Sequence, residues 1–257
     1  MTTILDQHFL NNTKILKTIL DTINSVEKHS VLEIGGGKGI LTQKIIQKQP
    51  LEFTCVEIDE QLFKTLQPLF MDTNYTLLYE NAITYLQQLQ KDTFSIIVGN
   101  IPYSITQALY TQLLYLLPQK CVFLQPHSFT QQLLESSTKQ TQFINANYEV
   151  YCIQVVKGEH FTPKAKTTSS IVELKRKTNI DKSRIEKFIS HISKRYNQQF
   201  NNAIIFSLAM TLQKGKKEIK NELKKHNIEI STSKVSIVSN QEFNATLSKI
   251  EEIFLNS

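Results

Sequence analysis

The stretch Phe94-Ser95-Ile96-Ile97-Val98-Gly99 narrows what this chain can fold into more than any other feature. Apolar side chains on consecutive positions, with no polar alternation, describe a strand covered on both faces, as inside a parallel sheet flanked by helices. Val31–Ile34, Phe53–Ile58, Tyr75–Tyr79 and Cys121–Leu124 repeat the pattern. Helical segments fall between such runs. Ile15, Leu16, Ile19, Leu20, Ile23 and Val26 recur at helical spacing behind the candidate caps Asn11, Asn12 and Thr13, predicting a helix over 13–27. Alternating strands and helices make the body an α/β fold. Tyr148–Val156 and Ser169–Leu174 read as a closing antiparallel pair, with Phe161-Thr162-Pro163-Lys164-Ala165-Lys166 in the loop between them.

In an open α/β sheet, ligands bind beyond the carboxyl ends of the strands, so the residues at those ends carry the chemistry. The first strand runs into Gly35-Gly36-Gly37-Lys38-Gly39, where missing Cβ atoms allow a sharp turn and close approach to a ligand. This spacing is neither the Gly-x-Gly-x-x-Gly of dinucleotide folds nor a phosphate-binding P-loop. The second strand ends in Glu57-Ile58-Asp59. A carboxylate there suits the two hydroxyls of a ribose, and Glu57 is the better placed; Asp59 reads as a helix cap. The third leads to Glu80-Asn81-Ala82, with Asn81 offering an amide oxygen. The fourth, the opening stretch, ends in Asn100-Ile101-Pro102-Tyr103. Pro102 stops the strand and holds Ile101 extended, which presents Asn100 and Tyr103 at a fixed edge. Ser104-Ile105-Thr106-Gln107 then fits a capping box.

Charge divides the chain. Residues 1–176 carry 15 Lys and Arg against 15 Asp and Glu, whereas 177–257 carry 14 against 8. Beyond Lys175-Arg176-Lys177 the strand pattern ends and three helical patterns follow, around 185–192, 204–212 and 243–254, the last behind a capping box at Ser239–Glu242. Two domains are therefore expected: a sheet-based body over 1–176 and a basic helical domain over 177–257, whose charge fits a phosphate-rich partner. Solvated Lys-rich faces are the plainer reading of that excess. No apolar run approaches the length of a membrane span, and Met1-Thr2-Thr3 does not open a secretory signal, so a cytoplasmic protein is expected. Cys55, Cys121 and Cys152 lie far apart in apolar stretches and are expected to be buried thiols without disulfide or zinc.

In this order the motifs resemble one family. Gln7-His8-Phe9-Leu10, Glu33 to Gly39, Val56-Glu57-Ile58-Asp59, Asn100-Ile101-Pro102-Tyr103, Phe161-Thr162-Pro163-Lys164 and Ser169-Ser170-Ile171-Val172 resemble, nearly end to end, the KsgA-type ribosomal RNA adenine dimethyltransferases. Lys194-Arg195-Tyr196 and Val235–Ser239 resemble landmarks of their C-terminal domain. The more distant Erm enzymes act on large-subunit RNA. The resemblance implies a class I, Rossmann-like methyltransferase with a mostly parallel seven-stranded sheet and a small helical C-terminal domain. It implies S-adenosylmethionine as cofactor, S-adenosylhomocysteine as product, no metal, and a monomer acting on ribosomal RNA of the immature small subunit. Gln7, His8, Leu10, Gly35, Gly37, Gly39, Glu57, Ile58, Asn81, Ala82 and Asn100 would line the cofactor site. Asn100, Ile101, Pro102 and Tyr103 would form the catalytic tetrad, with Phe161 on the opposite face of the target base. The family usually has Asp at position 81, so Asn81 puts a neutral hydrogen bond where a charge-assisted one is common. An Erm-like enzyme and a ribosome-assembly factor without catalysis are the alternatives.

Overall fold

The computed structural model describes residues 8–24, 26–178 and 183–255, so Gln7 lies outside the described residues. The chain divides into two compact units, one of residues up to Leu134 plus Glu149–Arg176, the other of Glu135–Tyr148 plus the segment from Lys177 onward.

The first unit is built on a seven-stranded sheet. In chain order its elements are β1 (Phe9–Leu10), α1 (Thr13–Ile23), β2 (Ser30–Ile34), α2 (Ile40–Gln47), β3 (Glu52–Glu57), α3 (Glu60–Leu66), β4 (Thr76–Tyr79), α4 (Ala82–Gln88), β5 (Ile96–Asn100), α5 (Tyr103–Leu116), β6 (Lys120–Pro126) and α6 (His127–Glu135). After α7 (Lys139–Asn147), which belongs to the second unit, come β7 (Tyr148–Val156), β8 (Phe161–Thr162) and β9 (Ser169–Arg176). The sheet order is β4-β3-β2-β5-β6-β9-β7. Strands β2 to β6 are mutually parallel and β9 runs antiparallel to β6, so the mostly parallel seven-stranded sheet holds. The order reverses between β2 and β5, which places the switch point, and with it a crevice, at the ends of those two strands.

Burial follows the apolar pattern. Val98, Val122 and Leu124 share one buried cluster with Ile15, Ile19 and Ile23 of α1, a face that accounts for that helix. Asn12 caps it, accepting from the N–H groups of Lys14 and Ile15, and it ends at Ile23, short of the expected residue 27, because Asn24 turns to a φ of 63°. Helix α5 is capped two residues earlier than the expected capping box at Ser104 would have it: Pro102 is its N-cap, and the Thr106 hydroxyl donates to the Pro102 carbonyl at 3.0 Å. Cys55 and Cys121 are buried and Cys152 is half-buried; all three are free thiols.

The second unit comprises α7, α8 (Arg184–Ser193), α9 (Phe200–Leu212), α10 (Lys216–Lys225) and α11 (Asn240–Leu255). Phe143 meets Phe243 edge-on at 5.3 Å, and Phe243 also packs on Phe200. Lys139 of α7 donates to the carbonyls of Val235 (2.6 Å) and Val238 (2.5 Å), and Asn147 pairs with Ser190 at 2.6 Å. These bonds group residues 135–148 with the C-terminal helices, whereas composition counts them with the sheet. Ser239 accepts from the Glu242 N–H at 3.1 Å, the first half of its expected box. Among the described residues no helix is long and apolar enough to cross a membrane.

Candidate active site

At the β2/β5 switch point the strand ends enclose a cavity of about 330 Å³. That volume lies within the roughly 300–1,000 Å³ of small-molecule sites. Of the expected residues, His8, Gly35, Gly37, Glu57, Ile58, Asn81, Ala82, Asn100, Ile101, Pro102, Tyr103 and Phe161 all line it. Two do not. Leu10 lines a smaller adjoining cavity of about 70 Å³ beneath the glycine loop. Gly39 caps α2 at a φ of 78°, and a Cβ there would stand 2.8 Å from the Leu69 side chain, so its role is packing.

The glycine loop is shaped for a ligand at one position above all. Gly35 has a φ of 73°, which an L side chain rarely adopts, and a Cβ built on it would meet nothing within 4 Å. The space beside it is the cavity itself. Gly37 donates its N–H to Glu57 Oε2 at 2.9 Å, which locks the loop to the end of β3. Glu57 Oε1 accepts the N–H groups of Ile58 and Asp59, each at 2.9 Å. The carboxylate is thus almost fully buried and held by three backbone donors, with its remaining acceptor capacity on Oε2. Asp59 takes the cap role expected of it, accepting from Gln61 and Leu62.

Asn81 departs from expectation. Its Oδ1 caps α4, accepting from the N–H groups of Ile83 (2.8 Å) and Thr84 (3.2 Å). The amide oxygen expected to face a ligand is occupied by the helix.

Asn100 ends β5 with its side chain fixed: Nδ2 donates to the His8 carbonyl at 2.8 Å. Ile101 is 2% exposed, so its side chain belongs to the core and its backbone borders the cavity. Tyr103 is 38% exposed at the start of α5, and its hydroxyl bonds that of Thr167. Phe161 is buried in β8, which pairs with β1. The His8 ring meets it edge-on at 6.5 Å and bonds the Pro163 carbonyl at 2.9 Å; since that oxygen only accepts, His8 Nδ1 carries the proton. Residues 8–10 and 161–163 therefore form one wall.

Glu33 lines the smaller cavity, 1% exposed, with no hydrogen-bond partner for Oε2 among the described residues. Burial, with the nearby Glu57 charge, pushes its carboxyl up to about 8, against the opposing Thr42 hydroxyl and Cys55 thiol. Motif reading missed Phe9, Ile34, Val56, Leu62, Glu80, Ser104, Ile105, Ala165 and Ser169 as cavity residues. Phe9, Ile34, Val56, Glu80 and Ser104 adjoin predicted positions; Ala165 arrives through the fold of the 158–168 loop and Ser169 at the start of β9.

Comparison with known proteins places this geometry. Ribosomal RNA small subunit methyltransferase A of Sulfurihydrogenibium sp. (strain YO3AOP1) is 29% identical over 201 residues, covering 73% of this chain and 78% of that protein. Two solved structures share the fold: a dimethyladenosine transferase from Plasmodium falciparum (TM-score 0.61, 20% identity, 95% of this chain and 98% of that one) and the 23S rRNA methyltransferase ErmE (TM-score 0.60, 21% identity, 95% and 99%). The model of the family described as ribosomal RNA adenine dimethylase matches residues 2–247, and the chain belongs to that family.

Proposed function

We propose that the protein dimethylates the exocyclic amine of adenine in small-subunit ribosomal RNA, using S-adenosylmethionine, as a cytoplasmic monomer acting during ribosome assembly. The observation that carries this reading is the fixed amide of Asn100 at the same cavity as the glycine loop and Glu57. The residues fit the cofactor: Gly35 leaves room for it, and Glu57 keeps an acceptor position on Oε2 for a ribose hydroxyl. When bound, S-adenosylmethionine supplies an electrophilic sulfonium methyl.

The chain's own residues then have to make a poor nucleophile attack. The lone pair of an adenine amine is delocalised into its ring. With Nδ2 held by His8, Asn100 Oδ1 is the end of the amide left for the target, and Oδ1 together with the Ile101 carbonyl accepts the two amine hydrogens. The nitrogen pyramidalises and its lone pair is localised towards the methyl. Tyr103 stacks on the flipped base and Phe161 borders its other side. The name of the Sulfurihydrogenibium relative favours the small subunit over the large. Incubating the protein with labelled S-adenosylmethionine and unmethylated small or large subunits tests the reading: small-subunit RNA is expected to be labelled at adenine. Label in large-subunit RNA alone would move the protein to the Erm-like alternative. No label in either, with cofactor binding absent, would leave an assembly factor.

A further inference from the structure

The two polar residues at the end of β4 divide their work in a way the motifs do not reveal. Asn81 Oδ1 holds two backbone N–H groups of α4, which uses both lone pairs of an amide carbonyl. What remains of the side chain is an NH₂ group with donors only. A purine amine, itself a donor, gains nothing from it. Yet the wall formed by Glu57, Ile58, Leu62, Glu80, Asn81 and Ala82 is where the cofactor reading places a purine.

That wall carries two carboxylates. Glu57 is 4% exposed and engaged by three backbone donors. Glu80 is half-buried, lines the same cavity, and its carboxylate oxygens take no hydrogen bond among the described residues. Its backbone N–H donates to the Glu57 carbonyl at 3.1 Å, which anchors it at the strand end beside Asn81. Its charge is felt at Tyr85 in α4, whose phenol is raised mainly by burial and further by Glu80.

We infer that Glu80, and not Asn81, accepts the exocyclic amine of the cofactor's purine, with Asn81 Nδ2 donating to a ring nitrogen. This rests on the cofactor reading above. An acceptor beside a donor complements a 6-aminopurine, which shows an amine next to an unprotonated ring nitrogen. A 6-oxopurine shows the reverse, an oxygen next to an N–H, and would set its oxygen against the Glu80 carboxylate. The pair is thus a selectivity device for adenosine.

Calorimetric titration with S-adenosylhomocysteine and with S-inosylhomocysteine, in which an oxo group replaces the amine, tests it on the full chain. Wild type is expected to prefer the amino ligand by about tenfold or more, and Glu80→Ala to weaken that ligand roughly 5- to 20-fold while leaving the oxo ligand unchanged or tighter. Adding Asn81→Asp to Glu80→Ala is expected to restore the preference, because an aspartate keeps one oxygen on the helix and turns the other to the cavity. Glu80→Ala removes no hydrogen bond of the fold, so its melting temperature should match wild type and certify the variant. A wild-type preference kept intact in Glu80→Ala would overturn the inference while leaving the cofactor reading standing. Binding of neither ligand to wild type would overturn the cofactor reading and the inference together.

Discussion

The side-chain amide of Asn100 donates from Nδ2 to the carbonyl oxygen of His8 at 2.8 Å, across 92 positions of sequence. A carbonyl oxygen only accepts, so this one bond decides which end of the amide faces His8. Asn100→Ala is expected to cut single-turnover methyl transfer by about 10³-fold through loss of a positioned acceptor. Cofactor affinity, read by calorimetry, should stay within about threefold, since glycine loop and Glu57 are untouched. Asn100→Asp should fall between the two, because a carboxylate keeps an acceptor but repels the His8 carbonyl. A large loss of cofactor affinity with turnover retained would assign Asn100 to cofactor binding instead.

Tyr103 contributes a ring and a hydroxyl, and these separate by mutation. The hydroxyl bonds Thr167 in the loop opposite, while the ring is the part available to a flipped base. Tyr103→Ala should lower kcat/KM for RNA by roughly 10- to 100-fold, the worth of one base–aromatic stack. Tyr103→Phe keeps the ring and should stay within about fivefold of wild type. Equal losses in both variants would mean that the hydrogen bond to Thr167, and not stacking, matters.

Glu33 makes stability fall as pH rises. Its carboxyl sits at about 8 when folded, against 4.5 for an unperturbed group, because it is buried beside Glu57. Between those values the folded chain holds a proton that the unfolded chain has released. The contribution is therefore complete below pH 4.5 and is lost as pH climbs through 8, at a rate of at most about 1.4 kcal/mol per pH unit. Glu33→Gln cannot ionise. Melting curves should show wild type losing stability relative to Glu33→Gln between about pH 4.5 and 8 and levelling off above, and parallel curves would mean that the carboxylate finds a partner.

How much was legible depended on whether a signal lay in one segment. Strands β2, β3, β5 and β6 announced themselves because burial on both faces leaves no polar alternation, and the Asp59 cap occupies a position that turn chemistry favours. Helix α10 was not read, since among Lys216–Lys225 only Ile219 and Leu223 are buried and two apolar residues do not make a periodic face. That residues 135–148 join the C-terminal helices was invisible, because Lys139 finds its acceptors almost a hundred positions away. Most of the residues named by motif line one cavity, but their engagement is not legible in the sequence: that Asn81 spends its oxygen on α4, or that three N–H groups hold Glu57, depends on side-chain orientation.

The basic excess beyond residue 176 is expected to bind RNA, and the division of the chain dictates how to test it. Deleting 178–257 would strip α7 of Phe243, Val235 and Ser190, exposing the buried Phe143 and Ile144, so the truncated body would lose stability for reasons unrelated to RNA. Charge substitution avoids this. Lys216, Lys217, Lys220, Lys224 and Lys225 are exposed on α10, whose buried face is Ile219 and Leu223. Changing the five to Gln leaves that face intact and should leave the melting temperature within a few degrees of wild type. Every lysine–phosphate pairing that disappears lowers the slope of log K against log salt by about 0.7–0.9, so a flattening of roughly 2 is expected if three of the five lysines reach the backbone. An unchanged slope with wild-type affinity would assign RNA binding to the first unit, where Lys164 and Lys166 stand exposed on the loop beside Phe161 and Ala165.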